Sequence, residues 1–447
     1  MIDVKLLRQD PEAMRRAIHL RRVDPQKADL DRWLQLDERR RQLQAEINRL
    51  NTAKKELSRL GRTDPEAARQ QGQELREQGR LCEQEMTQLS AEWQAILDWF
   101  PNWPHPQMPQ GQGEEQNVEE KVWVPGKGYL DSSGHSTSHM PQFPPHADTG
   151  NFAPQVHADL GTRLGIDTQQ AGKVSGSRFT YIRGDLALMQ YALSQLLIGE
   201  LLRRGYEMLI PPLLVREPAL YGTSHFPEGR SQVYAIQGDN VEDQTQLFLV
   251  GSSEPANFGY FSGRTLREEE LPVRVFAYTP CFRSEAGSWG KDVKGIKRVH
   301  QFDKLEMNSV CAPEQSEMIY EEFGAINEWL MQQLELPYRI VDKCTGDAGY
   351  LASHRQRDAE VWLPGSGEYM EVMTDTNTTD YQARRLDIRY KSAQGNTRFC
   401  HTVNDTGCAM GRMLIAIIEN YQQKDGVVKV PEILLPAMGV DYLQPKI

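Results

Sequence analysis

The chain has 447 residues, a length at which two or three domains of ordinary size are expected rather than one core. Hydrophobic residues at 39% and charged residues at 25% give a globular balance and exclude a disordered chain. A formal charge of −11 excludes a protein that coats nucleic acid by bulk electrostatics, so any RNA contact must be a local basic patch.

No stretch approaches the roughly 20 apolar residues of a membrane span, and the start MIDVKLLRQDPEAMRR lacks the apolar core of a signal peptide. The expectation is no membrane and a cytoplasmic address. Cys82, Cys281, Cys311, Cys344, Cys400 and Cys408 are scattered without a C-x-x-C pair and read as reduced thiols.

The first clear pattern is a heptad. Leu36, Leu43, Leu50 and Leu57 recur every seven residues, with Trp33 and Ile47 on the same seam. Gly61 to Pro65 supplies a stop with candidate caps at Thr63 and Asp64, after which Leu75, Cys82, Leu89 and Ile96 repeat the spacing, with Met86, Trp93 and Phe100 between. Two such seams zip together as an antiparallel hairpin over about 30–100, each arm projecting roughly 45 Å at 1.5 Å per residue. Its outer faces carry arginines and lysines such as Arg39, Arg49, Lys54, Lys55, Arg69 and Arg80, with glutamates interleaved. Alone, that charge pattern reads as a solvated coiled-coil surface.

From Phe100 to about Lys173 the composition turns to Pro, Gly, Gln and His, as in a linker. Residues 1–105 are expected as one domain, 106–172 as a linker with an insertion, and 173–447 as a second domain. His135, His139 and His146 lack the partners that would fix a metal site and are given no role. Further on, Asp185 caps a helix carrying Leu186, Met189, Leu193 and Leu197 that ends at Gly205; Val273, Val275 and Ala277 alternate as a strand; a second strand starts near Arg298; and a last helix carries Met410, Met413, Leu414, Ile417 and Ile418. The fold class expected is α+β, an antiparallel sheet flanked by helices, rather than doubly wound.

The chemistry concentrates between Cys281 and Glu306. Arg283 and Glu285 share parity, as do Arg298, Phe302 and Glu306 on the returning strand. Guanidinium groups that clamp phosphate, a ring that stacks on a base and carboxylates that hold ammonium or metal suit ATP with an amine-bearing co-substrate. Parity alone leaves an ordinary hairpin with exposed charges about equally good. There is no G-x-x-x-x-G-K-[ST] and no dinucleotide fingerprint, so phosphate must be held by side chains.

This segment, FRSEAGS, a glycine-containing basic loop and R-V-HQF-D-K-L-E, closely resembles the motif 2 hairpin of bacterial-type seryl-tRNA synthetases. Val174 to Phe179 resembles the segment before motif 1, Gly205 to Pro212 motif 1 itself, Glu371 with Asn377 and Asp380 to Arg385 the strand before motif 3, and Asn404 to Arg412 motif 3. The resemblance covers nearly the whole chain, including the hairpin. It implies a class II synthetase catalytic domain, a homodimer, ATP with Mg²⁺, and serine joined to tRNA-Ser, whose long variable arm the hairpin grips.

Carried over residue by residue, it implies Arg283, Glu285 and Arg412 as catalytic. ATP would be bound by Arg283, Ser284, Glu285, Arg298, Val299, Phe302, Glu371, Val372, Met373, Thr374 and Arg412, with Glu371 and Thr374 toward Mg²⁺. Serine would be held by Ser252, Ser253, Glu254, Arg283, Glu306, Asn404 and Thr406. The sequence departs from the family where T-A-E becomes Ser252-Ser-Glu254, N-G-S-G becomes Asn404-Asp-Thr-Gly407, and S-C-S-N becomes Thr374-Asp-Thr-Asn377. The hydroxyls survive, so a site built to bond a substrate hydroxyl is retained. The added Asp375 and Asp405 either favour a more cationic substrate or make structural bonds. Two alternatives accompany the first reading: a paralogue that activates another small amino acid or serves another acceptor, and a non-catalytic tRNA-binding protein, against which the retention of Arg283, Glu285 and Arg412 counts.

Overall fold

A computed structural model of the chain describes residues 1–60, 65–130, 144–147, 152–237, 246–286 and 295–445. Thr63, Asp64, His135, His139 and the middle of the motif 2 loop, 287–294, lie outside them. The chain divides into two compact units, Met1–Pro101 and Asn102–Ile447.

The first unit is helical: α1 (Val4–Gln9), α2 (Pro11–Leu20) and the long pair α3 (Leu30–Leu60) and α4 (Pro65–Leu97). Asp3 and Asp10 cap α1 and α2 by accepting the Lys5 and Ala13 amides. The heptad seam packs as its spacing demands. Leu36, Leu43 and Leu50 are buried, and Trp33 tilts against Trp93 with ring centroids 5.5 Å apart. Arg32 bonds Glu92 and Arg39 bonds Glu85, so numbers rise on α3 as they fall on α4, the signature of antiparallel arms. Asp37, buried beside the seam, accepts from Arg8 at 2.8 Å and from the Trp93 indole at 3.2 Å, tying α1, α3 and α4 together.

The second unit is built on a nine-stranded sheet. In chain order its strands are β1 (Val118–Val124), β2 (Gly128–Leu130), β3 (Glu207–Met208), β4 (Val273–Phe282), β5 (Gln301–Cys311), β6 (Tyr338–Asp342), β7 (Arg355–Leu363), β8 (Glu368–Asn377) and β9 (His401–Ala409), arranged 2-1-6-7-8-9-5-4-3. All neighbours are antiparallel except the short edge pair β4 and β3. One face carries the apolar core against helices α5 (Asp185–Arg203), α6 (Ser316–Gln333) and α7 (Met410–Tyr421), where Leu193, Leu197, Phe323, Leu330, Leu414 and Ile418 are fully buried. This is the α+β architecture expected from the sequence.

Two local expectations change. The stretch 106–172 contributes structure of its own: β1 pairs with β6 and β2 pairs with β1 at the edge of the main sheet. The alternation of β1 was hidden because Glu119, Glu120 and Lys121 interrupt its valines, while Pro and Gly dominate its surroundings. The N-cap of α5 is Gly184, not Asp185, and no side chain caps it. Its other end follows the sequence signal, Gly205 at φ +83° making the left-handed turn that a side chain resists. Among the described residues no helix is long and apolar enough to cross a membrane.

Candidate active site

The face of the sheet away from α6 carries a cleft with two lobes. Four residues line both, Arg283, Lys304, Glu371 and Thr406, and so mark the junction.

The first lobe is cationic and aromatic. Phe302, on β5, forms one wall, and the Arg283 guanidinium carbon stands 5.5 Å from the centre of its ring. Arg298 and Val299 line this lobe too, but from the turn before β5, which begins only at Gln301. Likewise β4 stops at Phe282, so Arg283 and Glu285 do not share a strand face as parity suggested. Glu285 instead adopts φ +51°, a left-handed conformation that costs a non-glycine residue roughly 1–2 kcal/mol, and Arg298 donates to its carboxylate at 2.9 Å. Ser284 turns away, its hydroxyl donating to the Ser231 carbonyl at 2.6 Å. At the far end Arg412, from the first turn of α7, donates to the Glu371 carboxylate at 2.8 Å and to its carbonyl at 2.9 Å. The crowded floor of the cleft works against the Glu371 charge, but Arg412, Lys343 and Arg283 outweigh that and hold its carboxyl below the ordinary value.

The second lobe is lined by hydroxyls, amides and carboxylates. Lys304 and Glu306, both buried, pair at 2.6 Å, and Lys304 also donates to the Thr406 hydroxyl at 3.2 Å. Burial pushes the Glu306 carboxyl up, against the pull of Lys304. Ser252 accepts the Glu254 amide at 3.2 Å and hydrogen-bonds Glu306. Glu254 accepts from Gln382 at 2.7 Å; burial and the nearby Glu306 push its carboxyl up to about 8, so it holds its proton at neutral pH. Thr374 donates to Asp358 at 2.8 Å, and Asp358 pairs with Lys343 at 3.0 Å. Asn404 completes the wall beside Thr406, and the Tyr350 ring lies tilted against His225 with centroids 4.7 Å apart.

Besides Ser284, two residues implied for the site lie elsewhere. Met373 is fully buried in the core. Opposite β7, Ala359 faces Met373 while Glu360 faces Glu371, so Val372 is an extra residue that flips the alternation. The bulge sends Glu371, Thr374 and Thr376 into the cleft and Met373, Asp375 and Asn377 behind it. Ser253 also turns away, toward the Asn257 amide at 3.3 Å. The two added acids leave the pocket altogether. Asp375 is bonded by Arg357 at 2.8 Å and Asp405 by Asn327 of α6 at 2.9 Å, both on the core face of the sheet.

The sequence reading missed Lys304, Thr376, Gln382 and Tyr350. Lys304 was accessible to it, since 302, 304 and 306 alternate onto one face of β5. Gln382 and Tyr350 arrive from remote segments and leave no local signal. Away from the cleft, His105, Glu317 and His354 bring ligand atoms within 4.8 Å of one another. The His105 Nδ1 accepts the Gln107 amide, which directs the ring proton of the neutral imidazole to Nε2.

The comparisons with known proteins agree with this geometry. Residues 1–104 match the model of the seryl-tRNA synthetase N-terminal domain, and residues 234–421 match that of the class II tRNA synthetase core domain of the G, H, P, S and T enzymes. The chain is 37% identical over 458 residues to the serine–tRNA ligase of Dictyoglomus turgidum, covering all of both chains. It is 38% identical to that of Synechococcus, covering 99% of this chain and 98% of the relative. Its structure superposes on seryl-tRNA synthetase from Pyrococcus horikoshii complexed with ATP at a TM-score of 0.88, with 32% identity and complete coverage of both. The cytoplasmic enzyme of Naegleria fowleri in complex with AMP gives 0.84 at 28% identity, covering 100% of this chain and 99% of that one.

Proposed function

The chain belongs to the seryl-tRNA synthetase family of class II aminoacyl-tRNA ligases, and from that premise we propose that its two-lobed cleft activates serine with ATP and passes the seryl group to tRNA-Ser. The observation that carries the reading is the junction. Arg283 and Lys304 stand where a nucleotide lobe meets a lobe of hydroxyls and carboxylates, which is where an α-phosphate and an amino-acid carboxylate must meet.

In this reading Phe302 stacks on adenine, Glu285 with its Arg298 partner meets the edge of the base, and Arg412 takes the γ-phosphate. Glu306, Glu254, Ser252, Asn404 and Thr406 receive the ammonium and hydroxyl of serine. A serine carboxylate oxygen attacks the α-phosphorus; the bond to the bridging oxygen breaks, and pyrophosphate leaves with the electron pair. Arg283 neutralises charge on the α-phosphoryl oxygens as it builds, and the cleft supplies alignment. A terminal ribose hydroxyl of tRNA then attacks the seryl carbonyl, and AMP leaves. No enzyme nucleophile is needed.

Glu371 and Thr374 offer the hard oxygen ligands that Mg²⁺ takes, and the Thr374 proton is already directed to Asp358, leaving its lone pairs toward the cleft. Mg²⁺ bound there would screen the ATP phosphates. The helical hairpin of the first unit would take the long variable arm of the tRNA, in a cytoplasmic homodimer. Because Asp375 and Asp405 face the core, the departures from the family pattern add no charge to the amino-acid lobe, which favours serine over a more cationic substrate.

The test is ATP–pyrophosphate exchange with each amino acid in turn, followed by charging of tRNA-Ser with and without its variable arm. Exchange with serine and arm-dependent charging are expected. Exchange with another amino acid alone overturns the serine assignment, and exchange with none overturns the enzymatic reading.

A further inference from the structure

Behind the amino-acid lobe, on the core face of the sheet, runs a row of charged side chains. Arg357 on β7 is the register partner of Asp375 on β8, and Asp375 is the partner of Asp405 on β9. All three are buried. The Arg357 guanidinium donates to Asp375 at 2.8 Å, to Glu321 at 3.0 Å and to the Tyr320 carbonyl at 3.2 Å, and it lies over the Tyr320 ring at 4.4 Å. Helix α6 approaches so closely that a Cβ on Gly324 would fall 2.3 Å from an Arg357 nitrogen. Asp405 takes both Asn327 contacts, at 2.9 and 3.1 Å.

The position of this row is what gives it consequence. Within the strands β8 and β9 pair over three positions, Asp375 with Asp405, Thr376 with Asn404 and Asn377 with Val403, and the Thr378 and Thr402 amides continue the contact by donating to the Thr402 and Thr379 carbonyls. Past the first of these the strands part, and Thr374 and Thr406 face the cleft. The short junction therefore sets the width of the amino-acid lobe. Two carboxylates directly opposite on neighbouring strands would push it apart. Burial raises both, Asp375 to about 6 and Asp405 well above the ordinary carboxyl range, and so works against two full charges facing each other here.

We propose that Arg357, Asp375 and Asp405 are positioning residues for amino-acid activation: they hold the three-pair junction of β8 and β9, and thereby set the spacing of Thr374 and Thr376 against Asn404 and Thr406. The inference rests on the reading of that lobe as the amino-acid site. Removing Arg357 leaves a buried, unpaired carboxylate, and the junction is the element free to yield. The nucleotide lobe hangs mainly on β5 and α7, and its β8 residues Glu371 and Val372 lie beyond the junction, where Arg412 of α7 holds Glu371.

The experiment uses the full chain with Arg357→Met, Arg357→Lys, Asp405→Asn and Asp405→Ala. Pyrophosphate exchange gives KM for the amino acid that the wild type activates, KM for ATP, and kcat; hydrogen–deuterium exchange follows peptides covering 374–377 and 402–406. Arg357→Met should raise the amino-acid KM about tenfold while KM for ATP stays within about twofold, with faster deuterium uptake at the junction. Arg357→Lys should recover most of the loss, and Asp405→Asn, which keeps an acceptor for Asn327 and removes the charge facing Asp375, should stay within about twofold of wild type. Unchanged uptake, or equal changes in both KM values beside a lower Tm, overturns the proposal. Should Arg357→Met fail to fold, Asp405→Ala carries the same split and the same criterion. A wild type that exchanges with no amino acid sinks the reading of the site, and the deuterium uptake still decides the row.

Discussion

The helical hairpin and the catalytic sheet use the same chemical pair, a cation against a carboxylate, in opposite settings. On the hairpin Arg32 with Glu92 and Arg39 with Glu85 sit at the surface, between arms already held by a leucine seam. In the sheet Lys304 with Glu306 and Arg357 with Asp375 are buried, where each charge depends on its partner. An exposed pair is screened and contributes little, whereas a buried pair is costly to break and marks a place where geometry is being held.

The largest expected effect follows from breaking a buried pair at the cleft. Lys304→Met leaves Glu306 without its cation and removes a donor from the junction of the lobes. Pyrophosphate exchange should fall about 10³-fold, the scale of losing one preorganised charge-stabilising group, with tRNA binding kept. Retention of most of the exchange rate would show that the Lys304–Glu306 pair is scaffolding.

Next is Glu254→Gln. The Glu254 carboxyl, raised to about 8, binds its proton more tightly in the folded chain than in the unfolded one, where it titrates near 4.5. The folded state therefore holds more protons, and the wild type loses stability from this group as pH rises between those values. Glutamine does not titrate. The variant should match wild type at pH 5 and exceed it by about 3 kcal/mol at pH 8 in denaturant unfolding without ligand. A constant difference across that range would remove the protonated form.

Asp37 sharpens the comparison because it is the hairpin's own buried acid. Asp37→Ala strips a partner from Arg8, Arg41 and Trp93 and should cost about 2 kcal/mol, discounted because Arg8 and Arg41 keep contact with water. Pyrophosphate exchange should be unchanged while tRNA charging weakens, measured on one preparation.

What could be read from the sequence follows the same division. The hairpin was legible because a period-seven seam needs nothing but its own residues, and Leu36, Leu43 and Leu50 are buried as that seam requires. The site was legible as a run of residue types between Arg283 and Glu306, but not as geometry. Strand parity failed where β4 ended at Phe282 and Glu285 took a left-handed turn, and of the two neighbours named for ATP the extra residue at Val372 keeps Thr374 in the cleft and sends Met373 to the core. Asp375 and Asp405 could not be placed without knowing that Arg357 and Asn327 wait on the other face. A bulge and a partner from a remote element leave no periodic trace.

The smallest expected effect is the converse case, Arg39→Ala. Its partner Glu85 is similarly exposed, so the freed carboxylate is rehydrated at once and no buried charge is left behind. The leucine seam on the inner side of α3 is untouched. The thermal midpoint of the first unit should not move measurably, and added salt should not change that comparison, since screening removes what little attraction the pair has. Binding of tRNA-Ser is the discriminating measurement. If affinity falls while the midpoint holds, Arg39 serves the RNA and its bond to Glu85 is the resting arrangement of a side chain awaiting phosphate. If the midpoint itself drops by as much as in Asp37→Ala, surface and interior pairs are equivalent in this hairpin, and the contrast drawn between the two units fails.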